Sequence, residues 1–158
     1  MKEVCDHLRS KGKNPYPIPV GGSNAIGTWG YIHAADEILL QLQSQPVNHI
    51  AFACGSGGTA TGIVIGIALA AAYYRIPMPK LHAIGVCDNP EYFYNTMVSI
   101  AQDMGFILPD GKETNHETMK EFFQSHITVH QGKGLGYAKS TSSELSFFMD
   151  FALENGIG

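Results

Sequence analysis

"NHIAFACGSGGTATGIVIGIALAAAYY", residues 48–74, decides the fold class. Its first part, "NHIAFAC" (48–54), is a short apolar run of the kind that forms a buried strand. Glycine then dominates 55–58, and from Thr59 to about Tyr74 nearly every residue is apolar, which predicts a buried helix. The run is too short to span a membrane. A strand turning through glycines straight into a helix is half of a parallel βαβ unit. The loop then lies at the carboxyl end of its strand, where open parallel sheets bind their ligands.

The same alternation extends outward from this unit. "KLHAIGVCD" (80–88) and "HITVHQ" (126–131) read as further buried strands, and "YPIPV" (16–20) as a short extended segment held off a central position by its prolines. Helices are predicted over 1–12, over 28–45 with Ile32, Ala35, Ile38, Leu39 and Leu42 on one face, and over 89–105 with Pro90 in the first turn. A short helix follows in "ETMKEFFQS", and another over 141–156 opens on a capping-box pair, Thr141 and Glu144. "EYFYN" (91–95) reads as core packing with a polar edge. The order α-β-α-β-α-β-α-α-β-α predicts an α/β protein, three-layered α-β-α, with a mainly parallel sheet covered on both faces. Residues 1–158 form one partial domain in this reading, because both ends break off where the pattern calls for another strand.

The totals narrow the function classes. The chain has 158 residues, 44% hydrophobic and 15% charged, which suits one folded domain and not a disordered one. A net charge of -4 leaves no basic footprint for nucleic acid, so an anionic ligand would have to be held locally. Three widely spaced cysteines, Cys5, Cys54 and Cys87, favour reduced thiols and an intracellular setting, cytoplasmic or organellar. No signal core opens the chain. No membrane partner is expected.

At "GSGGT" the chemistry points to an oxyanion. The first-turn N–H groups of the following helix carry the positive end of its dipole. Gly55, Gly57 and Gly58 remove side-chain bulk, and Ser56 and Thr59 add hydroxyl donors. A tight strand-to-helix turn needing glycine only for its backbone is the plainer alternative. A Walker loop is excluded by the lack of a GK[ST] end. A dinucleotide site is a rival: Gly55, Gly57 and Ala60 fit GxGxx[GA], and Asp88 stands after the next strand as a ribose-binding acid would. "GGSNA" (21–25) misses the GxSxG elbow by Ala25, so Ser23 is a weak nucleophile candidate. His126 and His130 would share a strand face without a third ligand, and the other histidines are scattered, so no metal site is expected.

Four stretches in order carry a more specific resemblance: "PYPIPVGGSNAIGTWGYIHAADEI" (15–38), "ACGSGGTATG" (53–62), "AIGVCDNPEYFYN" (83–95) and "GKGLGYAKSTSSEL" (132–145). The chain resembles the D-cysteine desulfhydrase and 1-aminocyclopropane-1-carboxylate deaminase family, most of all its plant-like members. The resemblance covers nearly the whole chain but only the middle of the family's length. It implies a tryptophan synthase β-like (fold type II) enzyme with pyridoxal 5'-phosphate as cofactor. Its phosphate loop falls on Gly55, Ser56, Gly57, Gly58 and Thr59. A tyrosine of the family's GxGY loop, facing cofactor and substrate, falls on Tyr137. Gly21, Gly22 and Ser23 are expected to border the substrate pocket.

The resemblance also implies a lyase or deaminase of a small amino acid, with D-cysteine giving pyruvate, sulfide and ammonia as first choice. A homodimer is the expectation for a full-length member. The family's Schiff-base lysine and its Ser-Asn-His segment fall before Met1, and a second tyrosine falls after Gly158. None of the lysines here stands in the family's lysine context. The chain is therefore expected to be a fragment, inactive or nearly so alone, which leaves its own enzymatic status open. A non-catalytic anion-binding module is the alternative reading.

Overall fold

A computed structural model describes residues 1–42 and 47–157. Its elements are α1 (Lys2–Ser10), α2 (Ala25–Leu42), β1 (His49–Cys54), α3 (Gly58–Tyr74), β2 (Lys80–Gly85), α4 (Pro90–Asp103), α5 (His116–His126), β3 (Ile127–Gln131) and α6 (Ser142–Asn155). The α/β class and the parallel sheet stand as read from the sequence. Residues 43–45 of the expected second helix lie outside the described residues.

The strands pair in parallel in the order β1-β2-β3, with Cys54 opposite Gly85 and Gly85 opposite Gln131. Their carboxyl ends are therefore level, and the loops after them leave from one edge. One sheet face carries the core: Leu81, Ala83, Ile127 and Val129 pack with Phe93, Met97 and Val98 of α4 and Phe123 of α5. The other face is open among the described residues, and there His49, Ala51, Ala53, Ile84, Thr128 and His130 are exposed. Of the three expected layers, the described residues supply the sheet and one helical layer. Alternation explains the misreading of 48–54 as buried throughout: the run is apolar because Ala51 and Ala53 are, yet they point to the open side.

"YPIPV" is not a strand. The segment runs without regular structure into a 3-10 turn at Val20–Gly22, as its prolines forbid ladder donation. The outer edge of β3 is occupied by a side chain. The Tyr94 hydroxyl donates to Ile127 O at 3.1 Å and accepts from Val129 N at 3.2 Å, standing where a neighbouring strand's backbone would. The capping box of α6 forms as expected, Thr141 Oγ1 accepting from Glu144 N at 3.2 Å. None of the described residues of α6 is buried, and Phe147, Phe148 and Phe151 are exposed. No helix among the described residues is long and apolar enough to cross a membrane.

The closest helix pair is α2 on α3. Gly58, Gly62 and Gly66 recur every four residues and so form one stripe along α3. A Cβ on Gly62 would lie 2.7 Å from Thr28 O, and one on Gly66 would lie 2.9 Å from Ile32 O. Backbone thus packs on backbone. The contacts climb together, Ser23 with Gly58, Thr28 with Gly62, Ala35 with Gly66, so the two helices run parallel and start side by side. α2 begins at Ala25, three residues before the sequence expectation, because Asn24 caps it: Asn24 Oδ1 accepts from Gly27 N at 2.7 Å.

Gly66→Ala is expected to destabilise the fold by about 1–3 kcal/mol, because the added methyl overlaps the α2 backbone. Gly30→Ala, on an exposed part of α2 with open space around its Cβ position, is expected to stabilise it by roughly 0.5–1 kcal/mol. Urea denaturation of both variants measures this opposition of sign.

Candidate functional site

The parallel start of α2 and α3 places two glycine-rich loops against each other at the carboxyl edge of the sheet. Loop 55–57 leaves β1 and enters α3 through Gly57, whose φ of 88 is a left-handed conformation that favours glycine. Loop 21–24 enters α2 through Ser23 and the Asn24 cap. Between them Ser23 Oγ accepts from Gly58 N at 3.0 Å and donates to Ser56 Oγ at 2.7 Å. On the other side of the loop, a Cβ on Gly57 would lie 2.7 Å from Thr96 Cγ2. A side chain at Gly57 or Gly58 would close the space.

The first intrahelical bond of α3 comes from Thr61 N to Gly57 O. The N–H groups of Ser56, Thr59 and Ala60 donate to no protein acceptor among the described residues. Ala60 is fully buried. Ser56 and Thr59 are partly exposed, so their N–H groups are open to an acceptor from outside the chain, whereas the Ala60 N–H lies out of reach of one. Two helix N-termini side by side add favourable potential for an anion. The five residues read from the sequence as the cup, Gly55 to Thr59, form one continuous turn. Ser23 is hydrogen-bonded to two of them. The resemblance implies for Ser23 only a weaker place at the pocket border, because nothing in the spacing of 23 and 58 reveals the helix crossing.

Cysteine flanks the cup on its sheet side. Cys87 donates its thiol to Gly55 O at 2.9 Å, fixing the first residue of the loop. Cys54 lies beneath it, 1% exposed. Burial pushes the Cys54 thiol up to about 11, with the Gly57 N–H acting in the opposite sense and Cys87 adding to the rise. It is an inert core thiol, not a nucleophile.

Tyr137 lies in the loop after β3, at the same sheet edge, and is 72% exposed. No hydrogen bond joins it to the cup among the described residues. Asp88 accepts from Asn89 N at 2.8 Å and so serves its own turn. Ser23, the weak nucleophile candidate, has Ser56 and Gly58 as hydrogen-bond partners and no histidine.

The histidines are not scattered as the sequence implied. His126 ends α5, bonded to Phe122 O and beside Ser125, and does not share a strand with His130. His130 instead bonds His82 at 2.9 Å, and His82 bonds His49 at 2.8 Å, in a stacked ladder across the open sheet face. Partial burial, then the flanking His49 and His130, hold His82 below its ordinary value. The ladder was invisible in the sequence because it depends on the β1-β2-β3 register. Among the described residues, no group of three or more His, Cys, Asp or Glu could hold a metal ion.

Comparison with known proteins gives the site its context. A family model described as pyridoxal-phosphate dependent enzyme matches residues 1–141. The chain is 41% identical over 156 residues to the mitochondrial bifunctional D-cysteine desulfhydrase/1-aminocyclopropane-1-carboxylate deaminase of Arabidopsis thaliana, covering 96% of this chain and 34% of that protein. It is 46% identical over 105 residues to a Pyrococcus furiosus protein provisionally named 1-aminocyclopropane-1-carboxylate deaminase, covering 65% of this chain and 29% of the relative. It is 36% identical over 87 residues to a D-cysteine desulfhydrase of Klebsiella pneumoniae, covering 54% of this chain and 24% of the relative. The chain thus spans about a quarter to a third of the length of these curated relatives.

In the folded chain Cys54 is expected to resist alkylation by iodoacetamide at about pH 8, reacting only in denaturant. Because its folded pKa lies above the ordinary 9.0, its contribution to stability is complete below 9.0 and is lost as pH rises through about 11. Peptide mass spectrometry of native and unfolded protein reads the first expectation, and a urea series at alkaline pH the second.

Proposed function

The chain belongs to the family of pyridoxal-phosphate dependent enzymes, and from that premise we propose that it holds the phosphate of this cofactor in a lyase or deaminase of small amino acids. D-cysteine is the first substrate, cleaved to pyruvate, sulfide and ammonia. The observation that carries this reading is the pair of partly exposed, unpaired N–H groups at Ser56 and Thr59, at the meeting of two helix N-termini. They fit a phosphate ester: it is acceptor-only when doubly ionised, and glycine leaves its oxygens room to reach the backbone.

Residues 55–59 bind and orient the cofactor in this proposal, with the hydroxyls of Ser56 and Thr59 completing the backbone donors. When bound, pyridoxal phosphate takes up the electron pair of the bond broken at the amino acid's α-carbon. Loop 21–23 lies against the cup and walls the pocket on the α2 side. Tyr137 holds or relays a proton at the substrate, from a loop at the same sheet edge. Residues 1–158 then form one part of the catalytic domain, and the chemistry also needs a lysine beside the cofactor, which residues 55–59 do not supply. Free thiols at Cys5, Cys54 and Cys87 suit an intracellular compartment.

Titration calorimetry with pyridoxal phosphate tests the cup. Wild type is expected to bind, and Ser56→Ala to weaken binding roughly tenfold, the loss of one charge-assisted hydrogen bond. Binding unchanged by Ser56→Ala would place the phosphate elsewhere. Sulfide release from D-cysteine tests the tyrosine in a protein that joins this segment to such a lysine: Tyr137→Phe is expected to lower it by roughly 10²-fold with cofactor affinity unaltered.

A further inference from the structure

Ser23 is not among the five residues of the glycine cup, yet it is bonded to two residues of it. Its oxygen accepts the Gly58 N–H, and its proton goes to Ser56 Oγ. The order of this chain is fixed at its start. An amide N–H only donates, so Ser23 must accept there and send its own proton onward. Ser56 is the acceptor within reach, and it thereby spends a lone pair on Ser23. The proton of Ser56 is left without a protein acceptor among the described residues. The relay begins at the positive end of α3, and each link polarises the next.

We propose that Ser23 is a positioning residue of the anion cup, holding the Ser56 hydroxyl as a donor toward a bound phosphate oxygen. The proposal rests on the reading of residues 55–59 as the phosphate site. Its consequence is selectivity for charge state. A hydroxyl held as donor suits an acceptor-only dianion and disfavours a monoanion whose proton points at it. Without Ser23, the Ser56 hydroxyl turns freely and can accept from a protonated phosphate.

A double-mutant cycle with pyridoxal phosphate, read by calorimetry, separates this from a merely structural role. Ser56→Ala and Ser23→Ala are each expected to weaken binding, the first roughly tenfold and the second by about three- to tenfold. The double variant should bind within about twofold of Ser56→Ala, because Ser23 acts through Ser56. Losses that multiply, or Ser23→Ala binding as wild type does, would overturn the proposal while leaving the cup intact. No binding by wild type, or no loss in Ser56→Ala, would overturn the cup reading and the proposal together.

The pH profile with inorganic phosphate gives the second readout, with sulfate as a control that keeps its charge. Wild type should favour phosphate increasingly as its second proton leaves, around pH 6–7, and Ser23→Ala should flatten that rise. A rise of equal steepness in both would also overturn the proposal. Ser23→Cys, close to serine in shape with a weaker donor, should fall between the two and guards against a folding loss in the alanine variant.

Discussion

Three glycines one helical turn apart, Gly58, Gly62 and Gly66, govern how closely α2 can lie on α3, and the carboxyl edge of the sheet is built on that distance. At each of Gly62 and Gly66 the space of a methyl group is already taken by the backbone of α2. Interiors are packed too tightly to absorb such an overlap by small adjustments elsewhere. The close approach and the parallel run together fix where α2 starts. Its first turn and the preceding Ser23 stand beside the first turn of α3, not one turn further along.

Electrostatics follow from that placement. A single helix N-terminus offers a partial positive charge and unpaired amides. Here two such ends share one small volume, and a serine from one loop ties the first amide of the other. The remaining donors have no acceptor within the described protein, and those of Ser56 and Thr59 are open to one from outside. The thiol of Cys87 on Gly55 and the methyl of Thr96 against Gly57 hold the loop from the sheet side.

Local pattern made much of this legible. The strand-to-helix turn at "GSGGT", the strands on each side of it, the long apolar α3 and the α6 capping box all depend on residues close in sequence, and all appear where the pattern put them. What was not legible depends on pairs far apart. Ser23 meets Gly58 only because the stripe sets the helix crossing. The ladder of His49, His82 and His130 exists only in the observed strand register. The prolines keep 16–20 out of the sheet although Pro19 is extended, and α2 starts earlier than expected because Asn24 caps it. The open sheet face was hidden by alanines, which read as apolar whichever way they point. Tyr137, expected at the site by resemblance alone, lies exposed in the loop after β3, with no hydrogen bond to residues 55–59 among the described residues.

The most direct measurement is an amide chemical-shift titration of the ¹⁵N-labelled chain with inorganic phosphate. If the two helix starts form one anion site, the amides of Ser56 to Ala60 and those of Ser23 and Asn24 should shift together, along one saturable curve, while Gly30 and the α6 amides stay still. Shifts confined to the surface lysines, or a cup that responds while Ser23 and Asn24 do not, would contradict a shared site set by the glycine stripe.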